Sequence, residues 1–201
     1  MPKIKVPKKS PSLDMTPMVD LAFLLVTFFM LTTKFRPDEP VIVDQPSSIS
    51  ETLLPDTAVM VITVDDKDRV FFNMEGKFAK QKMITKLAER FELNLNDDEK
   101  KRFSVLASIG VPSSQLKQYL SAEDEERKKM NVASKGIPYD SLNNELATWL
   151  YSARMSAPYY RLAIKGDKNA SVPAIKQIIS TVQDNKLNTF ALITNLEDSP
   201  R

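Results

Sequence analysis

The sequence predicts a single apolar N-terminal helix followed by a two-layer α+β domain that carries a helical insertion. Residues 17–33 contain one carboxylate and no other charge, while strand-prone runs beyond them follow the order β-β-α…β-α-β. A stretch between the two halves of that pattern has helical periodicity instead. We therefore expect a basic tail at residues 1–14, a transmembrane helix at 15–35, an extended linker at 36–56, and a domain at 57–201 with its insertion at about 93–158.

The composition restricts the function classes that this chain can serve. It has no histidine and no cysteine, which removes the commonest metal ligands, thiol nucleophiles and histidine acid–base chemistry. Its four glycines form no phosphate-binding pattern. The net charge of +2 comes from scattered lysines rather than from a basic stripe. We predict a protein that is not an enzyme and has no metal, cofactor or nucleic-acid partner.

The apolar run has the length of a membrane span. A helix over residues 17–35 would measure about 28 Å, against a hydrocarbon layer of about 30 Å. Thr16 is predicted as the N-cap and Pro17 as the first helical residue, where a missing N–H costs nothing. Asp20 lies inside this run, although a carboxylate in a spanning helix costs roughly 2.5–3.5 kcal/mol. Asp20 is therefore predicted to be functional, and ion or proton movement is the usual reason for such a group.

Helical spacing gives Asp20 a face that it shares with other residues. The residues three, four, seven and eleven positions after Asp20 are Phe23, Leu24, Thr27 and Leu31, and they lie on the same face of a helix. Two polar groups on one stripe favour a helix face that contacts a partner or a water-filled path rather than lipid. One helix cannot shield that stripe from lipid alone. The Thr27 hydroxyl could instead return to a backbone carbonyl. A plain signal anchor, with Asp20 hydrated near the interface, is the alternative.

The charges that flank the run predict its orientation. Four lysines precede it: Lys3, Lys5, Lys8 and Lys9. Beyond it, Asp38 and Glu39 offset the nearby cations. This bias favours an N-terminus in the cytoplasm and a domain outside. A cleaved signal peptide is disfavoured because no small-residue cleavage site follows the run.

The linker at residues 36–56 is rich in proline and serine, which predicts extended chain. Within it, residues 41–46 form a short β-prone run that could add a strand to a partner or to a sister chain. An ordinary linker that contains some valine is the alternative explanation.

The domain after the linker is predicted from alternation and helical periodicity. Its first half has strands at residues 58–65 and 69–73 joined by a tight turn, and then a helix at 80–93. Its second half has a strand at 160–165, a helix at 172–183 and a strand at 189–194. This β-α-β unit should form a right-handed parallel crossover.

The insertion is predicted to be helical at residues 97–109, 114–120, 122–130 and 139–155. The buried side of the last helix is marked by Leu142, Leu146, Trp149 and Leu150. The charge run at 123–129 is interpreted as a solvated helix face. Either partner recognition or covering of the sheet would explain the insertion.

Residues 14–20, Asp-Met-Thr-Pro-Met-Val-Asp, and the apolar run after them resemble the membrane signature of the ExbD/TolR family. The β-β-α…β-α-β order is similar to the family's periplasmic domain, and residues 163–167 fit its second half. The resemblance covers residues 1 to about 92 and about 158 to 197. It implies a single-pass subunit of a proton-driven motor in the bacterial inner membrane, with the N-terminus in the cytoplasm and the domain in the periplasm.

The resemblance also implies partners and roles. Such subunits form a homodimer inside a pentameric ExbB/TolQ-like channel and pass energy to a TonB-like protein for outer-membrane transport. Asp20 corresponds to the proton-carrying aspartate. Val41, Val43 and Pro46 correspond to a docking motif just outside the membrane, in which Gln45 replaces the usual leucine. One alternative is a TolR-like envelope subunit that contacts peptidoglycan. Another is a signal-anchored binding protein without an energy role. A flagellar stator would need a larger C-terminal domain.

Overall fold

The computed structural model describes residues 15–33, 39–48, 58–193 and 195–196. The chain divides into two units, Met1–Arg36 and Pro37–Arg201, and each is described by itself. The predicted basic tail and the parts of the predicted linker at residues 36–38 and 49–56 lie outside the described residues.

The first unit contains helix α1, Thr16–Thr32. Met15 occupies the N-cap position and its side chain makes no capping bond, so the predicted cap at Thr16 is wrong by one residue. Pro17 lies in the first turn, as expected. The predicted end at residue 35 lies outside the described residues. Among the described parts of the chain, no helix combines the length and apolar character that crossing a membrane requires.

The second unit is a mixed α/β domain. Its strands are β1 Ser47–Ser48, β2 Val59–Val64, β3 Val70–Met74, β4 Arg161–Gly166, β5 Phe190–Ile193 and β6 Asn195–Leu196. Its helices are α2 Lys77–Arg90, α3 Asp97–Val105, α4 Ser113–Ser121, α5 Asp124–Ala133, α6 Glu145–Ser156 and α7 Val172–Asp184. The predicted order of strands and helices is confirmed, including four helices in the insertion.

The main sheet has the strand order β3-β2-β4-β5. Strands β2 and β3 pair antiparallel as the predicted hairpin, and β4 and β5 pair parallel across α7, as the β-α-β pattern indicates. A parallel pairing of β2 with β4 joins the two halves. The two-residue parallel pair formed by β1 and β6 is a feature that the sequence did not predict.

One hydrophobic core joins the sheet to the insertion. Alternate residues of the strands face the helices, so that Met60 and Ile62 pack in the same cluster as Leu87 of α2. Trp149 of α6 belongs to it as well, with its ring centroid 5.8 Å from that of Phe72 and 6.1 Å from that of Phe103. The insertion therefore completes the core instead of forming a separate layer.

Two helix boundaries in the insertion differ from the prediction by four residues or more. Helix α3 ends at Val105 rather than at residue 109, because Ile109 exchanges backbone hydrogen bonds of 2.8 and 2.9 Å with Phe72 at the edge of the sheet. Helix α6 begins at Glu145 rather than at residue 139, because the Asn144 side chain accepts a 3.0 Å hydrogen bond from the Ala147 N–H and caps it. The predicted burial of Leu142 is wrong, since this side chain precedes the cap and is fully exposed.

Candidate functional site

Helix α1 presents the predicted stripe as one continuous face. It is unbroken from Thr16 to Thr32, so helical geometry places Asp20 on one side together with Phe23, Leu24, Thr27 and Leu31. These side chains are exposed, except for Thr27, which is half-buried. Asp20 is the single ionisable residue among the 17 of this helix.

The Thr27 hydroxyl is satisfied within the helix. It donates to the carbonyl oxygens of Phe23 and Leu24, at 2.9 and 3.0 Å. Thr32 makes the same kind of bond to Phe28, at 2.8 Å. These are ordinary bonds of threonine to the preceding turn, which allow a polar residue in an apolar helix. Asp20 is therefore the one group on the stripe whose chemistry the helix itself does not explain.

A second candidate region is the segment of residues 39–46, called the strap from here on. The strap is not part of a strand; regular pairing begins only at Ser47. Val43 is buried, Val41 is half-buried and Pro46 is exposed. The predicted docking motif thus packs on its own domain here, and strand addition to a partner stays a prediction.

Polar contacts at the end of β4 hold the strap. The Asp44 N–H donates to Asp167 Oδ2 at 2.9 Å, and the Lys168 N–H donates to the Asp44 carbonyl at 2.8 Å. The Lys168 ammonium also pairs with the Asp44 carboxylate. Farther along the strap, Glu39 pairs with Lys165 at 3.6 Å. The strap is therefore fixed to β4 through Glu39 and to the residues directly after β4 through Asp44.

These contacts change the titration of two exposed groups. The pKa of Asp167 is lowered, first by the hydrogen bond from the Asn169 N–H and then by that from the Asp44 N–H. The pKa of Lys168 is raised by its hydrogen bond to the Asp44 side chain. In the sequence, Asp167 is apparent only as part of a family pattern, because no local pattern links it to residue 44.

The strap lies over the face of the sheet opposite the helices. Between strap and sheet is a cavity of about 300 Å³. Its sheet side is formed by alternate residues of four strands: Val61, Thr63, Phe71, Asn73, Lys165 and Ile193. The Asn73 Oδ1 atom is buried and has no hydrogen-bond partner among the described residues. Both faces of the sheet are therefore used, one for the core and one for the strap.

The fold and the α1 stripe define a small α/β protein with one apolar, acid-bearing helix. Within that class, residues 7–197 match the family model described as biopolymer transport protein ExbD/TolR. The chain belongs to the ExbD/TolR family. The match runs through residues 93–158, which the resemblance of the sequence motifs did not cover. No curated protein and no solved structure matches the chain.

Family membership fixes the general kind of protein. ExbD/TolR proteins are non-enzymatic subunits linked to the proton motive force, with roles in transport or in envelope maintenance. The family is generally anchored in the inner membrane and works with ExbB/TolQ and TonB/TolA types of partner.

Proposed function

We propose that this chain is the proton-carrying subunit of an ExbB–ExbD-type motor that energises TonB-dependent outer-membrane transport. The observation that carries the proposal is Asp20, the single ionisable group of an otherwise uncharged apolar helix. An acid at lipid depth is costly and is a functional site by default. Family membership supplies the proton-driven context.

The proposed arrangement anchors the chain in the inner membrane through residues 15–35, with the domain in the periplasm. The lysines before the apolar run support this orientation, since basic flanking residues favour the cytoplasmic side. The general anchoring of the family supports the location.

The proposed mechanism places two copies of α1 inside a pentameric ExbB-like channel, with the stripe from Phe23 to Leu31 facing the pore. An ionised Asp20 is attracted to polar groups of the channel wall. Its protonated, neutral form can move past the apolar parts of that wall. Proton uptake on one side and release on the other then bias the movement of the dimer. A potential of 100 mV supplies about 2.3 kcal/mol for each charge moved.

The strap is the proposed point at which this movement meets a TonB-like partner or the sister chain. Val41, Val43 and Pro46 would dock there. A partner that binds the strap has to replace the contacts of Asp44 with Asp167 and Lys168. Docking of the partner would therefore depend on the release of these contacts.

The test is an Asp20→Asn substitution in a strain that lacks the wild-type chain. The amide is nearly isosteric but cannot carry a proton, so we expect normal membrane insertion and uptake of iron chelates reduced to the level of the deletion strain. Asp184→Asn, a surface position at the end of α7, is the matched control and should transport normally. Uptake that persists in the Asp20→Asn strain would refute the proton-carrying role.

A TolR-type envelope subunit is the second candidate, because the family match covers both branches. In that case Asp20→Asn would sensitise cells to detergent without changing iron-limited growth, and the domain would contact peptidoglycan. A signal-anchored protein without an energy role predicts instead that Asp20→Leu is harmless.

A further inference from the structure

Helices α2 and α6 lie side by side and form one outer face of the domain. The Lys86 Nζ donates to the Met155 carbonyl at 3.0 Å, and the Arg90 Cζ lies 4.1 Å from the centroid of the Tyr151 ring. Residue numbers rise along α2 as they fall along α6, so the two helices run antiparallel. Their solvent-exposed surface is called the α2–α6 face from here on.

Large apolar side chains are exposed on this face. The chain after α6 returns to the start of α2, where a Cβ added to Gly76 would lie 2.7 Å from the Tyr160 hydroxyl. Tyr159, directly before it, is 94% exposed, and Phe78 in the first turn of α2 is 81% exposed. Met155 is exposed as well. Because these side chains lie on neighbouring elements, they form an apolar patch of the kind that marks an interaction site.

The charges of the α2–α6 face are mostly positive. Five cations lie at exposed or half-buried positions of the two helices: Lys77, Lys82, Lys86, Arg90 and Arg154. The carboxylates at its surface are Glu89 and, just beyond the end of α2, Glu92. Glu145 of α6 is buried and accepts from the Ser113 N–H, and Glu75 before α2 lies near Lys80. The face therefore attracts anions.

Three of the five cations are not used within the chain. The side chains of Lys77, Lys82 and Arg154 are exposed and make no hydrogen bond or ion pair with any described residue. In the insertion, by contrast, Lys101 and Arg127 pair with aspartates of their own helices. The unpaired cations of the α2–α6 face are thus available to an anionic partner.

We propose that the α2–α6 face binds the surface of a bilayer that contains anionic phospholipids. Clustered lysine and arginine side chains attract anionic headgroups. Phe78 and Tyr159 enter the interfacial layer, where aromatic rings are favoured. A soluble polyanion would use the cations and leave these rings in water, whereas a bilayer surface accommodates both.

A lipid surface is available to this protein, since its family is generally anchored in the inner membrane. The inference rests on the membrane anchoring in the proposed function and does not involve Asp20. Its failure would therefore leave the proton-carrying role untouched.

The experiment uses the full chain with a Thr85→Cys substitution, labelled with the polarity-sensitive dye NBD. Thr85 is exposed on α2, and the chain has no cysteine of its own, so the label is unique. The labelled chain is placed in nanodiscs of phosphatidylcholine alone or with about 30% phosphatidylglycerol. We expect NBD emission to be at least about twofold higher in the anionic discs, and to be quenched there by a nitroxide-labelled lipid.

Salt and charge variants test the electrostatic part. Raising NaCl to about 0.5 M should reverse the rise in emission, because it shortens the screening length. Replacing both Lys82 and Arg154 by glutamine should reduce the rise by at least about half. Replacing Lys117 and Lys129, exposed on α4 and α5, by glutamine is the matched control with the same loss of charge and should leave the rise unchanged.

Replacing both Phe78 and Tyr159 by serine tests the aromatic part. Quenching by the nitroxide-labelled lipid should fall, while the midpoint of urea unfolding stays the same because both side chains are exposed. Unchanged quenching would contradict the insertion of these rings.

Other outcomes would overturn the proposal. Equal emission in both kinds of disc, or a rise that survives loss of Lys82 and Arg154, would exclude recognition of anionic lipid. Binding to isolated peptidoglycan that those substitutions abolish, without a lipid response, would assign the face to a glycan polymer. A dimer that Phe78→Asp dissociates would assign it to a second copy of this chain.

Incorporation into the discs separates this inference from the proposed function. A chain that co-elutes with neither kind of disc would refute the anchoring and the inference together. A chain that co-elutes with both and shows no lipid-dependent emission would refute the inference alone.

Discussion

At the scale of single residues, the side chain of Lys80 links α2 to the end of α3. Its Nζ donates to the Leu106 carbonyl, and the side chain is half-buried beside Phe103 in the core region. Burial lowers the pKa of Lys80 to about 8, against the opposing attraction of Glu75. The charged form of this lysine is therefore less favourable in the folded protein than in the unfolded chain.

This lowered pKa predicts a pH-dependent stability. Between about pH 8 and pH 9.5 the unfolded chain holds a proton that folded Lys80 has released, so the free energy of unfolding should rise with pH. After allowance for partial solvent access, we expect a gain of about 1 kcal/mol, measured by urea unfolding with Trp149 fluorescence. Lys80→Met should remove the gain and the exposed Lys82→Met should keep it; equal pH profiles would contradict the assignment.

Gly110 is a second residue whose role is set by its neighbours. A Cβ added there would lie 2.1 Å from the Phe71 ring, closer than any relaxed contact allows. Gly110→Ala should therefore destabilise the domain by about 1–3 kcal/mol in chemical unfolding. Gly166→Ala is the control, since its nearest atom, Ile175 Cδ1, is 3.5 Å away, and it should change stability by less than about 0.5 kcal/mol. Equal costs for both variants would contradict this account.

At the scale of elements, the strap is held differently from the strands. Its anchors include one buried valine and the polar contacts with Lys165, Asp167 and Lys168, whereas β2 pairs with β4 from Val59 to Val64 and with β3 from Met60 to Val64. Segments with few buried apolar contacts open at lower free energy than core strands. The strap should therefore detach while the sheet stays folded.

Asp167→Ala tests this difference, because it removes the acceptor of the Asp44 N–H. We expect hydrogen exchange at Val43 and Asp44 to become at least tenfold faster, with exchange in β2 and β4 unchanged. In the wild type the same loosening should appear as the pH falls below 3.8, because the lowered pKa of Asp167 means that its stabilising effect is lost on protonation. Asp184→Ala should have no effect; equal acceleration throughout the sheet would indicate global unfolding instead.

At the scale of the whole molecule, the helical insertion and the sheet share one hydrophobic core. Trp149 is completely buried and packs against Phe72 of β3 and Phe103 of α3. Its indole Nε1 has no hydrogen-bond partner among the described residues, so its contribution is one of packing. Removing this ring should weaken both parts together.

Trp149→Ala should lower the free energy of unfolding by about 3–5 kcal/mol, because it leaves a large cavity in the core. Circular dichroism should show one unfolding transition for the whole domain. Trp149→Phe, which keeps an aromatic ring and removes the unpaired N–H, should cost less than half as much. A separate early transition of the helices would show that the insertion folds independently.

The insertion shows which features sequence patterns predict and which they do not. Helical periodicity predicts four helices there, and Leu146 and Leu150 are buried as expected. The exposed Leu142 and the early end of α3 depend on the Asn144 cap and on the pairing of Ile109 with Phe72. The Asn144 cap reflects a local competition between a turn and a helix, whereas the pairing of Ile109 with Phe72 joins residues far apart in the chain. Helical periodicity alone predicts neither the start of α6 nor the end of α3.

The sequence by itself determined the β2–β3 hairpin, the β4-α7-β5 crossover, the position of Asp20 on one face of α1 and the membership in the ExbD/TolR family. These depend on alternation, periodicity and motif order, which operate over a few neighbouring residues. Only the tertiary structure decided that the Asp44 N–H donates to Asp167, 123 positions away, and that Ile109 pairs with Phe72 at the edge of the sheet. Such contacts bring together distant residues of ordinary type, and their formation depends on how the whole chain packs.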